Sequence, residues 1–302
     1  MKIFITGGTG FIGRHLVRRL AEDGHTVLVL TRSKKAPEKP EANVTYIPGE
    51  SIKPGPWQEK VKDCDIIINL AGATIFSKWN KKQKKLILES RVKTTQNIVQ
   101  ALAAGADRKT SLISASAIGY YGFHKDEELD EKAGPGDDFL ASVTRAWETE
   151  ALKAQEKSVR VVIARFGIVL GEKGGALSMM APFFKLFIGG PLGKGRQWFS
   201  WIHVRDLVEI FVFLIEHPEI SGPVNACSPR PLRNKDLAKA LGKALRRPSF
   251  LRAPAFMVKL LLGEFGNVVL KGQRVLPRRL LQLGFVFQFP EIQGALTDIL
   301  RK

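Results

Sequence analysis

The sequence predicts an α/β fold: a Rossmann-type, doubly wound parallel sheet followed by a mostly helical C-terminal region. Three observations predict it. The apolar run Lys2-Ile3-Phe4-Ile5 leads directly into Thr6-Gly7-Gly8-Thr9-Gly10-Phe11-Ile12-Gly13, a strand breaking into a glycine-rich turn that opens a helix. Strand-like and helix-like patterns then alternate through the first half, as helices on both faces of a parallel sheet require. Asp65-Ile66-Ile67-Ile68-Asn69-Leu70 is a near-continuous apolar run, as a strand buried on both faces needs.

Each element has its own justification. After the turn, Phe11, Leu16, Val17 and Leu20 repeat at helical spacing, and residues 26–30 form a second apolar run. Residues 33–43 are polar and rich in Pro and Lys, so they read as a loop, with a short third strand at 44–47. The fourth strand, 65–70, is followed by a long helix from about residue 80 to 104, where Leu86, Val92, Ile98, Val99 and Leu102 recur at roughly helical spacing. A fifth strand at 111–114, a helix over 138–155 and a strand over 159–165 continue the alternation. Residues 204–216 read as a helix with Asp206 in its first turn, where a carboxylate suits the dipole. From residue 237 the tail predicts two or three short helices and a final Phe285-Val286-Phe287 segment.

Length and composition narrow the class. The 302 residues suffice for one large or two modest domains, and a hydrophobic content of 44% is that of an ordinary globular protein. No apolar run approaches the roughly 20 residues that span a bilayer, so no membrane is expected as a partner. The N-terminus lacks a small-residue cleavage site and does not read as a signal peptide. Cys64 and Cys227 are far apart, and neither they nor the five histidines show metal-ligand spacing. The expectation is two buried thiols in a reducing cytoplasm and no metal. Net charge is +18, densest at Lys78-Trp79-Asn80-Lys81-Lys82-Gln83-Lys84-Lys85, with a second basic region at Arg246-Arg247 and 274–279. Such a surface attracts polyanions, yet Trp79 alone is no stacking platform, so nucleic acid is not the expected partner.

The glycine turn sets the cofactor site. Gly7 permits the sharp turn, Gly10 the approach of backbone amides to a pyrophosphate, and Gly13 close packing of helix on strand. Thr9, Phe11 and Ile12 complete the turn at a helix N-terminus that favours phosphate. The second strand ends in Thr31-Arg32-Ser33 without a carboxylate, which favours NADP(H) over NAD(H), with Arg32 pairing the 2′-phosphate. Leu70, Ala71 and Gly72 end the fourth strand in a small-residue turn that lets backbone lie against the riboses. Arg91 and Arg165 complete the cofactor-side set, and Arg165 and Arg196 are also cations suited to an anionic substrate group.

Together, Thr6–Gly13, Asn69–Gly72, Ser114-Ala115-Ser116-Ala117-Ile118-Gly119-Tyr120-Tyr121-Gly122, Arg165-Phe166-Gly167 and Trp201-Ile202-His203-Val204-Arg205-Asp206 resemble the extended short-chain dehydrogenase/reductases. Segments 189–201, 262–264, 272–280 and 284–287 are similar to the atypical "epimerase family" branch, which carries a C-terminal domain of unknown function and is often labelled nucleoside-diphosphate-sugar epimerase. The resemblance spans the chain. It implies an oxidoreductase or isomerase acting on a small molecule, a nucleotide sugar being one class, and leaves a homodimer open. It also implies an NADP(H)-binding domain of residues 1–167, to which the chain returns for about 201–228, and a smaller, mostly helical C-terminal substrate-side domain from 168–200 and 229–302.

That chemistry asks for a Tyr, a Lys four residues on, and a Ser holding the substrate oxygen. Ser116 is the serine candidate, with Ser114 behind it. The resemblance places the Tyr-Lys pair in 139–148, where Phe139 with Val143, or Leu140 with Thr144, stands instead. The literal Tyr121-Gly122-Phe123-His124-Lys125 contains Gly122 and follows a strand rather than lying on a helix, so Tyr121 is retained as a catalytic-site candidate mainly for hydrogen-bonding a substrate near Ser116, a role open to Tyr120 as well. His203 reads as a buried histidine rather than a base, and no nucleophile elbow occurs. Three readings compete: an NADP(H)-dependent oxidoreductase or epimerase, a non-catalytic NADPH-sensing module acting through a partner, and a nucleic-acid-binding relative.

Overall fold

Apolar runs of four to seven residues, each leading toward a helix, set the architecture. The computed structural model describes residues 1–33, 41–102 and 110–300. The chain opens with strand β1 (Lys2–Thr6), helix α1 (Phe11–Glu22) and strand β2 (Thr26–Thr31). Strand β3 (Val44–Pro48), helix α2 (Trp57–Val61), strand β4 (Ile66–Asn69) and helix α3 (Lys81–Ala101) follow. Next come β5 (Ser111–Ala117), the short β6 (Glu128–Leu129), α4 (Phe139–Leu152) and β7 (Arg160–Phe166). The second half adds β8 (Ile168–Gly171), α5 (Gly175–Lys185), β9 (Trp198–Phe199), β10 (Trp201–His203), α6 (Val204–Glu216) and β11 (Gly222–Ala226). The last part carries β12 (Leu232–Arg233), α7 (Asn234–Leu245), α8 (Ala255–Leu262), α9 (Phe265–Val269), β13 (Arg274–Val275), α10 (Arg278–Gln282) and α11 (Ile292–Leu300).

Seven strands form one sheet in the order β11-β7-β5-β4-β1-β2-β3, with every neighbouring pair parallel. The order reverses between β1 and β4, so a ligand crevice opens beyond their carboxyl ends, where Thr6 lies opposite Asn69. Strand alternation sends Ile3, Ile5, Val27, Val29 and Ile68 to the face covered by α1 and α6. Phe4, Leu28, Leu30 and Ile67 face the other way, against Trp57 of α2 and Ile98 of α3. A separate cluster, with Leu177, Phe184, Trp201, Leu241 and Leu296, holds α5, α7 and α11 together as a second lobe. Side chains fix two helix starts. Asn80 accepts from the Gln83 N–H at the head of α3, and Asp138 from the Ala141 N–H at the head of α4.

The elements differ from the sequence expectation in three places. Strand β5 runs to Ala117 because its ladder with β7 continues through Ala115, Ser116 and Ala117, so Ser116 lies within the strand rather than after it. The tail forms five helices, not two or three. Helices α9 and α10 have five residues each, too few to show a helical period. The Phe285-Val286-Phe287 segment is not terminal: α11 follows it and buries Ala295, Leu296 and Ile299. Helix α3 ends at Ala101; residues 34–40 of the expected loop and the last residues of the expected helix, 103–104, lie outside the described residues. Among the described residues no helix is long and apolar enough to cross a membrane.

Phe211 on α6 is fully buried between the sheet and its neighbours. Phe211→Ala is expected to cost about 3–5 kcal/mol, read as a lowered denaturant midpoint in equilibrium unfolding.

Candidate functional site

The β1–α1 turn is shaped by the space its glycines leave. Gly7 has φ +74°, and a Cβ there would stand 2.7 Å from the Leu70 carbonyl carbon and 2.9 Å from the Ala71 nitrogen. The turn therefore lies flat on the end of β4, at the point where the strand order reverses. A Cβ on Gly13 would stand 2.2 Å from the Gly7 oxygen and 2.6 Å from the Gly8 Cα. Gly13 is thus required by the helix's approach to the turn itself, which corrects the expected helix–strand packing. The Gly10 N–H donates to the Gly7 carbonyl at 3.0 Å, and Gly10 and Thr9 are exposed at the crevice rim. Helix α1 has no side-chain cap and no acidic residue in its first turn, so the N–H groups of Phe11, Ile12 and Gly13 suit an anion.

Phe11 itself points at the second lobe. Its ring occupies the space above Gly171, Gly174 and Gly175, where an added Cβ would come within 2.8, 2.3 and 2.9 Å of ring carbons respectively. On the opposite wall, the Thr6 hydroxyl donates to Asn69 Oδ1 at 2.7 Å, and Asn69 Nδ2 donates to Thr95 Oγ1 at 2.9 Å. This buried chain fixes the Leu70–Gly72 turn. Arg91 lies under that turn: Nη1 donates to the carbonyls of Ala73 at 3.1 Å and Ile87 at 2.9 Å, and a Cβ on Gly72 would come 3.0 Å from its Cζ. Burial without a bonded carboxylate pushes Arg91 down to about 10. Arg32 is exposed at the end of β2 with no hydrogen bond or ion pair among the described residues.

Ser116 and Tyr121, expected as chemistry-bearing residues, do converge, but within a buried polar network. The Ser116 hydroxyl donates to Glu148 Oε1 at 2.5 Å. Arg165 grips the same carboxylate through Nε at 2.9 Å and Nη2 at 2.8 Å, and its Nη1 donates to the Tyr121 hydroxyl at 2.9 Å. Tyr121 donates onward to Asn225 Oδ1 at 2.7 Å, and Asn225 Nδ2 donates to the Leu276 carbonyl at 3.0 Å. The Arg165 Cζ also lies 3.5 Å from the Tyr120 ring centroid. Burial works against the Arg165 cation, but Glu148 outweighs it and holds the guanidinium above its ordinary value. Burial pushes the Tyr121 hydroxyl above the usual phenol range, and the Arg165 charge offsets only part of that. The free, anion-pairing Arg165 that the sequence suggests is thus committed to Glu148 and Tyr121.

The places where the Tyr-Lys pair belongs hold apolar side chains. The Phe139 ring meets Trp79 at 5.1 Å, Val143 is buried, and the Thr144 hydroxyl donates to the Leu140 carbonyl. Trp79 also meets Phe265 at 5.7 Å, so its ring closes on this lobe. Tyr121 ends a single 3-10 turn and Lys125 is exposed beyond Gly122, so the two share no helical face. His203 is buried: its Nδ1 accepts from the Arg205 N–H at 3.1 Å, and its ring stacks on Phe289 at 4.0 Å. Sequence reasoning missed Glu148, Asn225 and Thr95. The signal for Glu148 was a charged residue on the buried side of α4, beside Trp147 and one turn on from Thr144. Among the described residues no cluster of His, Cys, Asp or Glu could hold a metal ion.

A glycine turn at the switch point of a doubly wound parallel sheet defines a dinucleotide-binding protein of the Rossmann type. Residues 3–227 match the NAD dependent epimerase/dehydratase family, and residues 253–299 match a domain of unknown function, DUF1731. The chain belongs to the NAD dependent epimerase/dehydratase family. It is 45% identical over 304 residues to the chloroplastic epimerase family protein SDR39U1 homolog of Arabidopsis thaliana, covering 100% of this chain and 87% of that one. It is 38% identical over 301 residues to the epimerase family protein YfhF of Bacillus subtilis, covering 99% of this chain and 98% of the relative. The crystal structure of human epimerase family protein SDR39U1 (isoform 2) with NADPH superimposes with a TM-score of 0.87 at 33% identity, covering 100% of both chains.

Arg165→Ala would leave the Glu148 carboxylate buried and unpaired, and is expected to cost about 3–5 kcal/mol in urea unfolding. The double variant Arg165→Met/Glu148→Leu, which removes both charges, should recover most of that loss.

Proposed function

We propose that this protein holds NADP(H) in the crevice between β1 and β4 and exchanges hydride with a small anionic substrate, a nucleotide sugar being the favoured class. One observation carries the reading: the Gly7 turn lies flat on the Leu70–Ala71 backbone, with the uncapped N-terminus of α1 beside it. The human relative's structure with NADPH supports the choice of cofactor, as does an exposed Arg32 where a carboxylate would select NAD(H). When bound, the nicotinamide supplies the hydride chemistry.

The chain's residues do the rest. Backbone amides at Phe11, Ile12 and Gly13 seat the pyrophosphate, and Arg32 pairs the 2′-phosphate. Leu70 and Ala71 offer a flat wall to the riboses, while Arg91 braces the turn behind them. Because its proton is donated to Glu148, Ser116 presents oxygen lone pairs and accepts a hydrogen bond from a substrate hydroxyl. Ser116 is the catalytic candidate, and Tyr121 positions Arg165 and hence Glu148. The substrate would lie between the cofactor domain, 1–167 with 201–228, and the smaller domain, 168–200 with 229–302. The buried Cys64 and Cys227 suit the reducing cytoplasm, although the plant relative is designated chloroplastic.

A second reading is an NADPH-binding module that acts through a partner without turnover. The packing of Phe139 against Trp79, where a proton-transferring pair would stand, favours it. Incubation with 4-deuterated NADPH and a metabolite extract separates the two. Deuterium in a product, or a nucleotide sugar whose epimer ratio shifts, supports turnover, and Ser116→Ala should abolish it. Tight NADPH binding with neither change supports the second reading. Arg32→Ala should weaken NADPH by roughly tenfold or more, the worth of a charged hydrogen bond, and leave NADH nearly unchanged in fluorescence titration. An unchanged NADPH/NADH ratio would remove Arg32 from the cofactor site.

A further inference from the structure

Nineteen large apolar side chains are exposed among the described residues, and eleven of them fall in two stretches, 179–188 and 250–261. The first is the end of α5 and the loop after it. The second leads into and includes most of α8, where Val258 is the one buried residue while Phe256 and Leu260 are 70% and 77% exposed. An eight-residue helix that shows water its Phe, Met and Leu side chains lacks the partner its sequence calls for.

The two stretches form one face. The Gly193 N–H donates to the Ala253 carbonyl at 2.8 Å, and the Ala253 N–H to the Pro191 carbonyl at 3.0 Å. The Arg247 Cζ lies 4.7 Å from the Phe187 ring centroid. Phe187 holds a left-handed backbone, φ +63°, a strained choice for an aromatic residue, while its ring remains exposed. Charge is equally one-sided. Neither 173–205 nor 237–263 contains an aspartate or glutamate, and Lys185, Arg246, Arg247, Arg252 and Lys259 are all exposed on or beside the face.

We propose that this face docks on an anionic lipid bilayer. Phe183, Leu186, Phe187, Phe250, Phe256 and Leu260 enter the boundary between headgroups and acyl chains, and the five cations meet lipid phosphates. A second copy of the chain fits less well, since a two-fold contact through this face would set one acid-free cationic surface against another. Lying on a bilayer needs no spanning segment, so the absence of long apolar runs does not bear on it. The helix at the centre of the face, α8, belongs to the stretch matched by the domain of unknown function, and docking gives that stretch a task.

The test is co-sedimentation of the full chain with vesicles of phosphatidylcholine alone and with 40% phosphatidylglycerol added. Binding is expected on the anionic vesicles only, and weaker at 0.5 M salt. Phe256→Ser/Leu260→Ser should lower the partition coefficient at least roughly tenfold, as should Arg246→Gln/Arg247→Gln/Arg252→Gln. These side chains are exposed, so thermal melting should match the parent and exclude misfolding. With both native cysteines buried, Leu260→Cys carrying an environment-sensitive dye should shift to the blue on anionic vesicles. Equal or absent binding on the two vesicle types overturns the proposal. So does loss of binding in the charge variant but not the apolar one. A particle of twice the 33.5 kDa chain mass in light scattering, split by the serine variant, would assign the face to a second copy and equally overturn it.

Discussion

The two parallel hydrogen bonds between Arg165 and Glu148 are the constraint from which the rest of the site takes its shape. Both groups are almost completely removed from water, a state that costs several kcal/mol per ion unless each is held by the other and by further donors. That requirement recruits the neighbours. The Ser116 hydroxyl on β5 donates a hydrogen bond to the carboxylate, and the Tyr121 hydroxyl accepts one from the guanidinium and donates one to Asn225 on β11. Through the Leu276 carbonyl the chain of bonds reaches the C-terminal region. One ion pair thus fixes β5, β7, α4 and β11 relative to one another, and it orders the serine before any ligand arrives.

The crevice at the carboxyl ends of β1 and β4 is organised differently. There, position depends on the absence of side chains at Gly7 and Gly13 and on the short Thr6–Asn69–Thr95 relay. Charges are few. Arg91 is a desolvated cation bonded to carbonyls, and Arg32 stands in water. The crevice and the buried network therefore rest on opposite devices, close backbone contact at Gly7 and Gly13 and a saturated polar network around Arg165.

Legibility in the sequence follows the same division. The turn Thr6–Gly13 and the apolar run of β4 could be read directly, because adjacent residues carry both the pattern and the contact. Helix α6 was equally plain, with an apolar face over 204–216 and Asp206 at its start. The partnership of Glu148 with Arg165 could not be read, since it joins a helix to a strand across 17 residues and depends on which way α4 faces. Asn225 is more distant still, 104 residues from Tyr121. Helices α9 and α10 escaped for a local reason: five residues make little more than one turn, and packing rather than periodicity holds them. Ser116 could be singled out as a candidate from its place near the end of the fifth strand, but its hydrogen bond to a carboxylate is a fact of packing.

Glycine-rich connections are commonly read as hinges, and the segment joining β8 to α5, with Gly171, Gly174 and Gly175, has that composition. With the ring of Phe11 filling the volume that three β-carbons would occupy, the segment is instead a socket. Phe11 is the first residue of α1, the same helix whose uncapped N-terminus stands at the crevice. The second lobe is therefore keyed to the sheet at the first turn of α1, through a contact that a side chain at any of the three glycines would push apart.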